Sequence, residues 1–360
     1  VIKIPITNYF SRLTLFKESL KRKKIDAFLV SEIHNIRYLT GFTGSSALLL
    51  ITENKNIFLT DFRYQEQAEK EIYGWDIHIA KGGMIKAVKN ISHKLGIKIL
   101  GFEFSVSYEF YRKLSEKINL KGYKGLIERF REIKDIDEIS LTRESIRRAE
   151  TAYIDVKPYI REGAKEIAIS HRLEERLKKR GCMRVPFEVI VASGRNSAMP
   201  HARPTEKKLE KGDLVIIDWG GEAGGYFSDM TRTLLIKDKD LSKKKEIYNY
   251  VLKANKEAIY HIYPQVKASE IDRYARDVIN KAGYGKFFGH GTGHGIGLQV
   301  HELPRITRNI NEVIKENMVF TIEPGVYLPE IGGVRIEDMV VAKSDGAEVL
   351  TALSKELEII

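Results

Sequence analysis

Apolar residues recur every three to four positions near the start of the chain. Phe10, Leu13, Phe16 and Leu20 share one face, which predicts a helix over residues 10–28. Ile25 to Val30 (IDAFLV) reads as a strand. Two apolar runs, SALLLIT (Ser46 to Thr52) and NIFLT (Asn56 to Thr60), flank a polar Glu53-Asn54-Lys55 turn and predict a β-hairpin. Arg63 to Ile72 has helical character, Trp75 to Ala80 alternates as a strand does, and Met84 to Gly96 is a helix closed by its glycine. Lys98 to Phe104 and Tyr108 to Ile118 continue as strand and helix. Such alternation predicts an α/β layer domain over residues 1–132.

The pattern then changes. Lys134 to Ile160 is a charged, Glu/Arg-rich helix that leads into a second domain, residues 133–360. Residues 165–180 are helical and stop at Gly181. From Phe187 onward, strands separated by Gly- and Pro-rich turns dominate, with helices near 242–262 and 268–282. This mixture predicts an α+β domain with an antiparallel sheet.

Composition narrows the partners. With 43% hydrophobic and 30% charged residues the chain is globular. No apolar run reaches the roughly 18–20 residues of a membrane helix. The first stretch is broken by Lys, Asn and Arg and is not expected to be a secretory leader. A single cysteine, Cys182, excludes an internal disulfide and fits a reducing cytoplasm. The net charge of +11 raises the question of nucleic acid. However, 60 Lys/Arg stand against 49 Asp/Glu, and no ladder of basic and aromatic residues accompanies the short lysine runs. A solvated lysine-rich surface is the better reading, with neither nucleic acid nor membrane as a partner.

The candidate chemistry lies in the second half. LVIIDWG and YFSDMTRTLLI are strand-like and flank GGEAGG. A hairpin folded symmetrically about the Ala223–Gly224 bond sets Asp218 opposite Asp229, with Cβ atoms about 4.5–5.5 Å apart. Two such charges destabilise a sheet unless a cation or proton separates them. MVFTIEP and GGVRIEDMVV repeat the arrangement; a turn centred near Glu330 sets Glu323 beside Glu337. His290, His294 and His301 fall within HGTGHGIGLQVHELP, where the glycines favour an extended or turning path over a helix. Mostly oxygen donors with one imidazole suit Mn, Co, Fe or Zn and exclude a thiolate-rich structural zinc site.

In these motifs the chain resembles the pita-bread-fold metallopeptidases, which include methionine aminopeptidase, aminopeptidase P and prolidase. The resemblance covers nearly the whole chain. HGTGHGIGLQVHE together with GGVRIED is highly specific, and Gln299, where acidic residues are common, is the one departure in these core motifs. It implies two divalent metal ions, with Asp229 and Glu337 bridging, Asp218 on one ion, and His294 with Glu323 on the other. It implies that His201 positions substrate and stabilises the tetrahedral intermediate, and that His290 and His301 are further active-site histidines. Arg335 would support the site, Thr231 would stand near the bridging aspartate, and Glu323 would also shuttle a proton. A preceding domain of this size resembles aminopeptidase P and prolidase, which implies a homodimer and a peptide substrate with proline at the second position. The alternatives are another aminopeptidase specificity on the same fold, such as methionine removal, or a non-catalytic module that binds peptide or nucleic acid.

Overall fold

In the computed structural model, residues 4–116 and 118–360 are described. The chain divides into two compact units, Lys3–Arg131 and Glu132–Ile360.

The first unit is built on a six-stranded mixed sheet ordered β4-β3-β2-β1-β5-β6. Its strands are β1 (Ala27–Val30), β2 (Leu48–Thr52), β3 (Asn56–Thr60), β4 (Asp76–Ile79), β5 (Ile99–Glu103) and β6 (Asn119–Tyr123). β1–β2 and β2–β3 are antiparallel, and the other pairings are parallel. The helices are α1 (Ile6–Leu20), α2 (Ile33–Thr40), α3 (Gln65–Glu71), α4 (Met84–Lys94), α5 (Tyr108–Ser115) and α6 (Glu128–Arg131). Strand alternation sends Ala27 and Leu29 into a cluster with Leu50, Leu59, Val88 and Leu100. Phe28 turns the other way, against Phe16 of α1. The predicted first helix ends sooner than its apolar spacing implied, because a short 3-10 turn and the left-handed Lys24 close it.

The second unit opens with α7 (Ile136–Val156) and α8 (Glu166–Lys179). Asp135 caps α7 by accepting from Glu138 N–H at 2.9 Å while Glu138 reaches back to Asp135 N–H. The helix buries Ile139, Ile146, Ala149, Tyr153 and Val156 against the first hairpin of this unit. Trp219 stacks on Tyr153 at 4.5 Å and donates its indole N–H to Ala149 O at 3.0 Å.

That hairpin consists of β8 (Leu214–Trp219) and β11 (Met230–Leu235), with β7 (Ile190–Ser193) beside β8 and β19 (Glu358–Ile359) beside β11. A tiny ladder of β9 (Glu222–Ala223) and β10 (Tyr226–Phe227) forms its tip. After α9 (Ser242–Tyr260) and α10 (Ala268–Lys281) comes a sheet ordered β13-β12-β14-β17-β18. Its strands are β12 (Gly293–Gly295), β13 (Glu302–Ile306), β14 (Val319–Ile322), β17 (Asp338–Lys343) and β18 (Gly346–Val349); β15 (Gly325–Leu328) and β16 (Gly332–Arg335) form a separate ribbon. All pairings are antiparallel except β11 with β19. Helices cover both faces. The pair Val319 and Val341 packs into the α7/α8 core, whereas Phe320 and Val340, one step along, pack into the α9/α10 core. Burial on both faces explains why these strands read as unbroken apolar runs.

Candidate metal centre and active site

The two hairpins bring their carboxylates to one place by different registers. In the second, Ile322 pairs with Asp338 and Gly325 with Arg335, and Ile336 N–H reaches Pro324 O. Glu323 therefore lies opposite Glu337 about a turn centred on Glu330, as expected. In the first hairpin the expected register is corrected by two residues. Asp218 pairs with Thr231, not Asp229, because the tip turns at Gly224–Gly225 and pairs Ala223 with Tyr226. Both glycines have positive φ (57° and 90°), the values of a type I′ turn. Asp229 is two residues from Thr231, so it remains on the face that Asp218 occupies.

His294 sits in β12 on an extended backbone. A Cβ on Gly293 would lie 1.9 Å from Thr321 O, and one on Gly295 would lie 2.0 Å from Leu303 O. Neighbouring strands pass so close on either side that only glycine fits beside the histidine. His294 Nδ1 is 3.1 Å from Gly295 O. A carbonyl only accepts, so Nδ1 carries the proton and Nε2 is left with a bare lone pair. Burial, then His301 beside it, lowers the His294 pKa to about 4, so the ring is neutral at pH 7.

His201, Asp218, Asp229, His290, His294, His301, Glu323, Arg335 and Glu337 all line one cavity of about 620 Å³. His294 Nε2 is 3.6 Å from both Asp229 Oδ2 and Glu323 Oε1. Ligand atoms of Asp229, His294 and Glu337 fall within 4.8 Å of one another. These spans are long for hydrogen bonds and suit donors that each stand about 2.0–2.2 Å from a shared cation. Among the described residues Asp218 Oδ1 is buried without a hydrogen-bond partner, an expensive state unless a cation meets it. Burial, then the neighbouring carboxylates, raises Asp229 and Glu337 well above the usual carboxylate range. Burial, with Asp218 adding to it, pushes Glu323 up to about 7. Four carboxylates with one guanidinium among them need protons or cations to coexist, and the donor set fits divalent metal ions.

Arg335 organises this cluster. Its Nη2 donates to Asp218 Oδ2 at 2.5 Å, Nε to Thr231 Oγ1 at 3.1 Å, and Nη1 to Tyr327 Oη at 2.9 Å and Pro200 O at 3.1 Å. Thr231 Oγ1 in turn donates to Glu337 Oε2 at 2.7 Å. Thr231, two residues from Asp229 on the same face, thus links Arg335 to Glu337. His290 Nδ1 donates to Gly291 O at 2.8 Å, and its Nε2 accepts from Tyr327 Oη at 2.9 Å. Burial lowers the His290 pKa to about 4. His201 and His301 are exposed to the cavity, and the His301 ring lies 4.3 Å from that of His294. Behind Glu337, Arg232 pairs with Asp338 at 2.9 Å and donates to the carbonyls of Thr231 and Glu337.

Sequence reasoning missed Tyr327, Arg203 and Arg305, which also line the cavity. Tyr327 follows Glu323 by four positions, and strand alternation would have placed it on the same face. The two arginines carry no comparable signal.

The fold and the site together define a two-domain, metal-dependent hydrolase. The comparisons agree. The metallopeptidase family M24 matches residues 140–344, and the creatinase/prolidase N-terminal domain matches residues 12–133. The chain belongs to the metallopeptidase family M24. A Xaa-Pro dipeptidase of Pyrococcus horikoshii is 36% identical over 345 residues, covering 94% of this chain and 96% of that protein. The structure of a Xaa-Pro dipeptidase from Bacillus anthracis is similar with a TM-score of 0.95 and 39% identity, over 98% of this chain and 100% of that one. An X-Pro aminopeptidase structure from Thermotoga maritima has a TM-score of 0.88 and 35% identity, over 97% and 99%.

Proposed function

We propose that the chain is a Xaa-Pro peptidase. It uses two divalent cations, Mn before Co, Zn or Fe, to hydrolyse the bond between an N-terminal residue and proline. One observation carries this reading: Asp218, Asp229, Glu323, Glu337, His294 and three further histidines line a single cavity. The chemistry is assigned to the domain over residues 133–360. Asp229 and Glu337 would bridge the ions, Asp218 would hold one, and His294 with Glu323 would hold the other. Bound there, the cations supply a Lewis acid and lower the pKa of the attacking water.

The chain's own residues do the rest. Arg335 holds Asp218 in place through the 2.5 Å contact from its Nη2. His201 and His301 present ring nitrogens to the cavity, where an N–H can meet the carbonyl oxygen as negative charge develops on it. Proline's amide nitrogen, like any amide nitrogen, needs a proton to depart as an amine, and it has no N–H of its own to hold it in the site. Glu323 would take the proton that the attacking water gives up and pass it to this nitrogen. Arg305 stands on the cavity wall, as does Arg203, which pairs with Glu188 at 3.3 Å; the guanidinium of Arg305 suits the terminal carboxylate of a short peptide.

A homodimer and a cytoplasmic location complete the reading; the first rests on the family resemblance, and the buried thiol of Cys182 suits the second. Nucleic acid and membrane are not partners in it, and among the described residues no helix is long and apolar enough to cross a membrane. The test is a comparison of Ala-Pro, Ala-Pro-containing longer peptides and Met-Ala with Mn added. Cleavage of the proline peptides, the dipeptide fastest, is expected. Preference for Met-Ala, or salt-sensitive nucleic-acid binding without peptidase activity, would overturn the reading.

A further inference from the structure

One wall of the cavity is gripped from behind by a buried ion pair on α10. Asp272 and Arg276, one helical turn apart, are 0% and 8% exposed. They meet through two parallel hydrogen bonds, Arg276 Nε to Asp272 Oδ2 at 2.7 Å and Nη2 to Oδ1 at 2.9 Å. The pair is not closed on itself. Arg276 Nη1 donates to Phe288 O at 2.9 Å and Nη2 to His290 O at 2.5 Å, and the guanidinium lies 4.1 Å from the Phe288 ring. Asp272 Oδ1 accepts from Thr292 Oγ1 at 2.8 Å and, at 3.2 Å, from Thr292 N–H, which it shares with Ile306 O. The pair thus contacts residues 288, 290 and 292, alternate positions along one edge of the segment that carries His290. Thr292 O then accepts Glu323 N–H at 2.7 Å. On the far side of the segment, the His290 ring meets Tyr327.

We propose that Asp272 and Arg276 are positioning residues, which act through the 288–292 segment to set His290 against Tyr327. Two arguments favour this over a purely structural role. A buried ion pair is often matched or exceeded in stability by apolar residues of similar volume, so packing α10 does not require one. Apolar residues would, however, leave the carbonyls of Phe288 and His290 without these donors, and the backbone that holds the site would be free to shift. The catalytic consequence rests on the peptidase reading above; the geometric one does not.

The experiment has two arms. R276K keeps the charge and loses the planar fork. With Mn saturating, it should lower kcat/KM for Ala-Pro by roughly tenfold, within the range seen for groups that orient catalytic residues. In an H290A background the same change should cost less than about twofold, because the group it acts through is gone. Equal losses in the two backgrounds would mean that the pair only supports the fold, and would overturn the proposal. The second arm is a crystal structure of D272L/R276M, which removes both charges together, or of R276K if the double variant does not fold. Loss of the His290–Tyr327 contact supports the proposal, and an unmoved His290 overturns it. That arm decides even if the parent cleaves no Xaa-Pro peptide, a result that would count against the peptidase reading alone.

Discussion

The two carboxylate-bearing hairpins reach the same cavity by contrasting means. The first has a two-residue tip at Gly224–Gly225, and its register places the hydroxyl of Thr231 opposite Asp218. The second has a longer excursion about Glu330 and sets Glu323 opposite Glu337 with no neutral residue between them. In the first hairpin the like charges are diagonal, and Thr231 relays hydrogen bonds from Arg335 to Glu337. In the second the like charges face each other, and both have raised pKa values. Strand alternation decides which side chains share a face, and the turn decides which of them stand directly opposite. An error of two in register leaves the first unchanged and alters the second.

The sharpest way to break the comparison is to remove a carboxylate from each hairpin. D229N and E337Q should each reduce turnover of Ala-Pro by more than about 10³-fold, since each deletes a proposed bridge between the cations. Near-normal turnover in either, measured with Mn saturating, would contradict the assignment of that hairpin. T231V removes only the neutral relay and should cost about tenfold, the scale of one lost hydrogen bond to a charged group. A T231V loss as large as that of E337Q would show that the relay, not the carboxylate, dominates.

Metal removal sharpens the contrast through pH. Glu323 titrates near 7 in the metal-free fold, against an ordinary value of 4.5. The folded state therefore binds more protons than the unfolded state between those values. This contribution to stability is fully present below about 4.5 and is lost as pH rises through about 7. Chelated protein should lose thermal stability between pH 6 and 8 in a way that Mn-loaded protein does not. Calorimetry of Mn binding in two buffers should show proton release, greater at pH 6 than at pH 8; no release at pH 6 would contradict the raised carboxylates. His290 works in the opposite direction. Its pKa falls from 6.5 to about 4 on folding, so its contribution is present above 6.5 and is lost as pH drops towards 4. H290N should flatten the acid limb of stability.

What could be read from the sequence followed from periodicity. The β2–β3 hairpin, the helices from α7 to α10 and the unbroken apolar strands were all visible, because each buries a regular face. α2 was not: Asn35, Tyr38 and Thr40 are buried beside Ile36 and Leu39, so its inward face mixes polar and apolar residues. Asn35 is satisfied there by Glu103 and Glu128, partners far away in sequence. β6 was missed as well, because as an edge strand it has no fully buried position. In the site, the acidic and imidazole groups stood out by residue type. Tyr327 did not, since its role depends on meeting His290 and Arg335, which only the folded ribbon brings together.

The smallest expected effect tests the turn itself. Gly225 has φ of 90°, where a Cβ is strained, so G225A should destabilise the protein by about 1–2 kcal/mol. G225N should cost less, because asparagine tolerates positive φ. G224A should cost more than G225A, since its Cβ would lie 2.7 Å from Leu141 Cδ2 in addition to the backbone strain. All three changes lie at the tip, beyond the strand pairs that hold Asp218 and Thr231 in register. Melting temperature should therefore fall most for G224A, less for G225A and least for G225N, while kcat/KM per folded molecule stays within about twofold of the parent, as for a turn remote from the chemistry. A loss of activity comparable to that of T231V would mean that the tip sets the position of Asp218 as well as the register of the hairpin.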